Sequence, residues 1–180
     1  MKAEEYYKKL GKVIISASQI ERKVKEMAKQ ISKDYDKNFP VLISNLKGSF
    51  RFLADIVKYV KIPVMIDFIA FQSYEGHKSI GNVRVIKDLK IDVSNKNILL
   101  VEDIVDTGIT LDYIIKYLEE FKKPIDIRVC TLLDKPSKRK VYVPIHYKGF
   151  EIPDVFVVGY GLDYKEFFRE LNDIYELKID

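Results

Sequence analysis

The sequence predicts an α/β fold built on a mostly parallel, twisted sheet flanked by helices. Three observations carry that prediction. Strand-like apolar runs alternate with amphipathic helical runs along the chain. The run NILLV (97–101) is apolar without interruption, as a strand covered on both faces must be. The polar clusters fall where apolar runs end, and in such sheets ligands bind beyond the carboxyl ends of the strands.

The elements follow in order. VIIS (13–16) is a short apolar stretch, and Ser18 opens a helix over 18–35 in which Ile20, Val24, Met27, Ala28 and Ile31 recur at helical spacing. Pro40 introduces the buried-strand run VLISNL, Lys47-Gly48-Ser49 breaks it, and FRFLADIVKYV returns to helical period. Pro63 opens a long strand over 64–74. EGHKSIGN (75–82), polar with two glycines, predicts a mobile loop leading to the strand VRVIKDL. After NILLV come a helix, LDYIIKYLEEF, and a strand, IRVCTLL, which ends at Asp134-Lys135-Pro136. A strand VFVVGY (155–160) and a short helix near EFFREL complete the chain. A single domain over 1–180 is expected, with the ends (about 1–16 and 140–180) forming a small hood over the sheet's carboxyl edge.

Composition narrows the class. With 180 residues, 47% of them hydrophobic, the chain can bury one real core and reads as a soluble globular protein. No apolar run approaches the ~20 residues of a membrane span, and the charged start MKAEEYYKKLGKV lacks the apolar stretch of a signal peptide, so a cytoplasmic protein without a membrane partner is expected. The net charge of +4 comes from 31 basic and 27 acidic residues interspersed along nearly every segment. A one-sided basic stripe is missing, and no nucleic-acid partner is expected. Cys130 is the sole cysteine and lies in the apolar run RVCTLL, so it reads as a buried core thiol. Two histidines and one cysteine do not make a structural zinc site; any metal would be a hard cation on carboxylates.

The chemistry concentrates in ILLVEDIVDTGIT (98–110). A buried strand delivers Glu102 and Asp103, and two apolar residues later Asp106-Thr107-Gly108-Ile109-Thr110 enters a helix. A helix amino terminus offers unpaired N–H groups and a positive dipole end, which suit a phosphate. Gly108 lets the backbone close on an anion, and Thr107 and Thr110 add hydroxyls. Glu102 and Asp103 could accept hydrogen bonds from a ribose diol or hold Mg²⁺. Helix capping explains one acid and one hydroxyl here, but not three carboxylates within five positions, whose repulsion calls for a cation or donors.

The run VEDIVDTGIT resembles the phosphoribosyl pyrophosphate (PRPP) motif of type I phosphoribosyltransferases, in the form found in hypoxanthine-guanine phosphoribosyltransferases. The resemblance continues through SNLKGSFRFLADI (44–56), DFIAFQSYEG (67–76), LLDKPSKR (132–139) and FEIPDVFVVGYGLDYKEFFRELNDI (150–174), and so covers nearly the whole chain. It implies the type I phosphoribosyltransferase fold. The implied activity is purine salvage, joining hypoxanthine or guanine to PRPP to give IMP or GMP and pyrophosphate, with Mg²⁺ as cofactor.

Roles follow residue by residue from that resemblance. Residues 107–111 would hold the 5′-phosphate, and Glu102 and Asp103 the ribose hydroxyls. Lys47 and Gly48 match a pyrophosphate loop that often contains a non-proline cis peptide, although on residues alone this is an ordinary turn. Ser73 and Tyr74 match the start of a flexible loop that closes over the reacting centre. Two departures there are Ile80, in place of a small hydroxyl residue, and Ala70, where some relatives carry arginine. Lys135 matches a contact to the purine six-oxo group, Phe156 the aromatic that stacks on the base, and Val157 a backbone contact to its edge. Asp163, beside the purine, matches a ligand of Mg²⁺, and Arg169 a pyrophosphate contact. Arg139 matches weakly and would equally pass as a solvated charge. Asp106 becomes the candidate proton acceptor at N7 of the base. A homodimer or homotetramer is implied. A xanthine-using enzyme, or a non-catalytic nucleotide-binding regulator on the same fold, are the alternatives.

Overall fold

Helix α1 (Ala17–Asp34) shows how the chain builds its layers. Ile20, Val24, Met27, Ala28 and Ile31 are buried along one stripe, as their spacing predicts. The cap is Ser16 rather than Ser18: Ser16 and Gln19 form a reciprocal capping box, and the Asp173 carboxylate accepts the Ala17 N–H at 2.6 Å. The structure is a computed structural model and describes residues 6–73 and 83–178.

Among the described residues two sheets form. The larger runs β4 (Val83–Lys87), β3 (Met65–Ser73), β2 (Val41–Asn45), β5 (Asn97–Val105), β6 (Asp126–Asp134) and β7 (Tyr147–Glu151). All neighbours are parallel except β3 and β4. Strand β5 sits between two helical layers. Leu99 and Val101 pack with α1 and α2 (Phe50–Tyr59) through residues such as Val24, Phe52 and Ile56. Ile98 and Leu100 face the opposite core with Leu111 and Ile114 of α3 (Ile109–Tyr117). The uninterrupted apolar run is thus the signature of a strand buried on both faces, and the expected α/β architecture is what forms. Cys130 on β6 is fully buried, and burial raises its thiol pKa.

The smaller sheet has the order β1 (Leu10–Ile15), β9 (Ile174–Leu177), β8 (Val157–Val158), all antiparallel. Two expectations change here. Tyr147–Glu151, included in the expected hood, is instead the edge strand of the large sheet. The strand expected over 155–160 shrinks to two residues, because Gly159, Tyr160 and Gly161 all take positive φ. The helix expected near EFFREL does not form either. Lys165, Glu166 and Phe168 are left-handed, and Tyr164 and Phe167 exchange backbone hydrogen bonds at 3.1 Å in a tight turn. Phe168 is driven inward instead, buried against Val158 and Leu177. The helix LDYIIKYLEEF is regular to Tyr117 and then widens into a π turn over Leu118–Lys122. The expected loop over 75–82 and Tyr74 lie outside the described residues. Among the described residues no helix is long and apolar enough to cross a membrane.

Asp67 anchors the route from β3 to β5. Its buried carboxylate accepts the N–H groups of Phe68 (2.8 Å), Lys90 (2.6 Å) and Ile91 (2.8 Å), with the Lys87 ammonium at 3.4 Å. Burial pushes its pKa up, but the three N–H donors and Lys87 outweigh it, and the net shift is downward. Asp67→Ala should cost about 3 kcal/mol in urea denaturation near neutral pH, since three N–H groups lose an ionised acceptor. A depressed carboxyl stabilises above its ordinary value of 3.8 and loses that effect as pH falls through the lower folded value. The stability gap between wild type and variant should therefore narrow in acid, and a gap that stays constant would contradict the assignment.

Candidate active site

The site forms where the sheet reverses its order of growth. From β2 the chain moves outward to β3 on one side, and from β5 to β6 on the other. A crevice opens at the carboxyl ends of such a strand pair. The ends of β2 and β5 supply Asn45–Gly48 and Glu102–Thr110.

On the β5 side, the turn Asp106–Gly108 leads into α3. Gly108 has φ of 83°, and a Cβ there would collide with the Val141 carbonyl, so only glycine fits. The Thr107 carbonyl accepts from Lys140 (2.9 Å) and Val141 (3.1 Å), fixing the turn from outside. The result is a cavity of about 250 Å³ bounded by Asn45, Glu102, Asp106, Thr107, Gly108 and Thr110, at the positive end of the α3 dipole. Ile109 contributes its place in the first helical turn, while its side chain does not line the cavity.

Arg139 is no solvated charge. Its guanidinium donates to the carbonyls of Asp106 (3.1 Å) and Val105 (3.3 Å) and pairs with the buried Asp134 carboxylate, clamping the turn before α3 from below. Asn45 was also not singled out from the sequence. A polar residue closing the run VLISNL, immediately before Leu46-Lys47, was the available signal.

The carboxylates at the end of β5 carry opposing demands. Burial raises Glu102 well above its ordinary pKa, the Asp103 charge adds to this, and a hydrogen bond from Asn45 opposes it. Asp103 is pushed up to about 6, by burial first, against the N–H groups of Ile104 and of Asp103 itself and the charge of Arg169. Gly48 packs directly on Asp103, where any Cβ would strike the carboxylate. The peptide bond between Leu46 and Lys47 is cis.

A second cavity, of about 340 Å³, adjoins the first and shares Asp103 and Asp106 with it. Lys135 projects from the end of β6, its N–H held by the Val105 carbonyl at 3.0 Å and its ammonium 3.8 Å from the Asp106 carboxylate. Lys135 is buried, and desolvation lowers its pKa against the pull of Asp106 and Asp154. Phe156 forms a T-shaped pair with Tyr164, remains 42% exposed and lines the cavity with Val157 beside it. Arg169 donates to the Gly161 carbonyl and pairs with Asp163, both at 2.7 Å; Lys47 pairs with Glu166 at 2.6 Å. Among the described residues four side-chain atoms are buried without a hydrogen-bond partner, and three of them, Asn45 Oδ1, Asp106 Oδ1 and Arg169 Nε, belong to residues lining these two cavities.

Lys47, Gly48, Lys135, Phe156, Val157, Asp163 and Arg169 thus line one cavity, and Glu102 to Thr110 most of the other. Ser73 ends β3, and Tyr74 lies outside the described residues.

The class follows from where these cavities meet. One cavity opens at a helix amino terminus, the other is lined by Lys135, Arg169 and Phe156, and both meet at Asp106; the family model "Phosphoribosyl transferase domain" matches residues 14–165 of this chain. Relatives refine the class. The hypoxanthine-guanine phosphoribosyltransferase of Bacillus subtilis is 44% identical over 94% of each chain, and that of Aquifex aeolicus is 44% identical over 91% of this chain and 93% of the relative. The crystal structure of a hypoxanthine phosphoribosyltransferase from Staphylococcus aureus superimposes with a TM-score of 0.92 at 40% identity, over 99% of this chain and 97% of that one. This chain belongs to the hypoxanthine-guanine phosphoribosyltransferase family.

Removing the clamp should be felt throughout the turn. Arg139→Met leaves the buried Asp134 carboxylate with only the Lys148 ammonium at 3.3 Å and takes the donor from two carbonyls, and should lower stability by about 2 kcal/mol in urea denaturation. A loss under about 0.5 kcal/mol, the range of an ordinary surface substitution, would show that Arg139 does not clamp the turn.

Proposed function

We propose that the protein transfers the 5-phosphoribosyl group of PRPP to N9 of hypoxanthine or guanine, giving IMP or GMP and pyrophosphate. One observation carries the reading: Asp106 stands at the junction of the two cavities, with a buried carboxylate oxygen that has no partner among the described residues. A proton acceptor belongs at that junction, where the base meets the sugar.

In this reading the 107–110 turn and the start of α3 bind the 5′-phosphate, and Glu102 and Asp103 face the ribose diol. The purine stacks on the partly exposed Phe156 ring, with its six-oxo group toward Lys135. A buried ammonium donates to an oxo group and meets the amino group of adenine as donor against donor. As the C1′–oxygen bond to pyrophosphate breaks, N9 supplies the electron pair for the new bond and Asp106 takes the proton from N7. Lys47, Gly48 and Arg169 receive the leaving pyrophosphate, so positioning and charge stabilisation supply most of the rate.

The donor set suits Mg²⁺. Among the described residues no three His, Cys, Asp or Glu side chains cluster as a dedicated metal cage. Magnesium is commonly held instead by one or two carboxylates with substrate phosphates and water. The Asp163 charge helps to raise Asp103, so the two carboxylates already share one field that a cation would relieve. Glu102 and Asp103 on the ribose side, and Asp163 on the pyrophosphate side, would hold it. Bound there, Mg²⁺ would neutralise charge on the departing pyrophosphate.

We also place the enzyme in the cytoplasm and expect a homodimer or homotetramer, as the family resemblance implies.

Two measurements test the reading. Initial rates with hypoxanthine, guanine, xanthine and adenine, each with PRPP and Mg²⁺, should favour the first two, with adenine slower by about 100-fold. Faster use of adenine would overturn the role of Lys135. Asp106→Asn should keep the fold and the KM for PRPP within a few fold while kcat drops about 100-fold. Near-wild-type turnover would refute the assignment of Asp106.

A further inference from the structure

The stretch from Gly159 to Asn172 carries Asp163 and Arg169, yet little of it is regular structure. Tyr160, Lys165, Glu166 and Phe168 take φ of 52°, 53°, 69° and 78°. Side-chain-bearing residues in the left-handed region are costly unless surrounding contacts hold them there. Much of what holds this stretch comes from α2.

Arg51, on the first turn of α2, reaches across to it. The two N–H groups of one guanidinium nitrogen are shared among three successive carbonyls, those of Arg169 (3.1 Å), Glu170 (3.1 Å) and Leu171 (2.6 Å). The other terminal nitrogen donates to Asn172 Oδ1 at 2.8 Å. The guanidinium also lies over the Tyr160 ring, 5.1 Å from its centroid, and the Tyr160 hydroxyl donates to Asp55 at 2.6 Å. Arg51 and Asp55 are one helical turn apart, so one face of α2 grips the stretch at both ends. Among the described residues Arg51 pairs with no carboxylate, so its charge is spent on backbone carbonyls. A planar fork can serve that many acceptors; a lysine ammonium cannot match its geometry.

The same helix begins directly after Lys47 and Gly48, and a Cβ on Gly161 would strike the Gly48 carbonyl. Both halves of the anion side of the second cavity are therefore referenced to α2: the Lys47–Gly48 loop by covalent connection, and Asp163 with Arg169 through Arg51.

We propose that Arg51 is a positioning residue for the pyrophosphate half of the site. By fixing residues 160–172 on α2 it sets where Asp163 and Arg169 stand relative to Lys47. This rests on the phosphoribosyl-transfer reading above.

Arg51→Met keeps the apolar stem over Tyr160 and deletes the donors. The KM for PRPP and the KM for pyrophosphate in the reverse reaction should each rise about tenfold, with the KM for hypoxanthine within about twofold, because displaced groups weaken only the ligand part they face. A merely structural lesion would lower the melting temperature and the active fraction and leave that split absent. Asn172→Ala, which removes a single acceptor at an exposed site, should shift the same two constants about threefold. Arg51→Lys should stay closer to the Met variant than to wild type. Hydrogen exchange of the ligand-free proteins gives a second readout: amides of 161–171 should exchange faster in Arg51→Met while those of β5 and β6 are unchanged. If wild type makes no nucleotide from PRPP and any oxo-purine, the functional reading fails, and exchange alone still decides whether Arg51 holds the stretch. If wild type is active but PRPP and pyrophosphate constants are unchanged in Arg51→Met and Asn172→Ala, the positioning role is overturned. Should Arg51→Met not fold, Arg51→Lys and Asn172→Ala decide by the same pair of constants.

Discussion

The burial of β5 on both faces is the constraint on which the rest of the structure depends. Leu99 and Val101 belong to one core, and Ile98 and Leu100 to the other, so the strand has no wet side along most of its length. Polar chemistry can enter only where the strand runs out. Glu102 and Asp103 stand at that margin, and burial raises the pKa of both. The same strand then delivers Asp106 and the glycine turn to the start of α3. A single element thus brings Glu102, Asp103, Asp106 and the glycine turn into one region without any long loop.

Neighbouring elements are fitted to that end of β5. Strand β2 places Gly48 against the Asp103 carboxylate, at a separation that leaves no room for a side chain. Strand β6 lifts Lys135 to 3.8 Å from Asp106 and, through Asp134, gives Arg139 a buried partner while it grips the turn from below. Packing and ion pairs thus hold the charged groups at this end of β5 in fixed positions.

The sequence made β5, α1 and the glycine turn before α3 legible because their signals are local: an uninterrupted apolar run, a helical stripe, a glycine between a strand and a helix. The resemblance of VEDIVDTGIT and of the 150–174 tail then supplied roles that spacing alone could not. What stayed hidden depends on partners far along the chain. Phe167 and Phe168 in EFFREL suggest a helix, but Phe168 is drawn under the small sheet and Arg51 takes the carbonyls of 169–171, and the local propensity loses to those ties. Arg139 looked like any basic residue in a lysine-rich stretch because its three acceptors lie up to 34 positions away. Tyr147–Glu151 gives no strand signal because a five-residue edge strand containing a glycine has little pattern of its own.

The ion pairs around Lys47 and Arg169 carry a consequence for turnover. Lys47 rests on Glu166, and Arg169 on Asp163, with both acids only three residues apart on the same short stretch of chain. On the proposed function, pyrophosphate must borrow these two cations from resident carboxylates that never leave. Tethered competitors act at a high effective concentration and need not diffuse back. Departure of the diphosphate is then an exchange, in which each cation finds its old partner as it releases the new one. The acids beside the leaving-group pocket would thereby guard against product inhibition as much as they help to assemble the site.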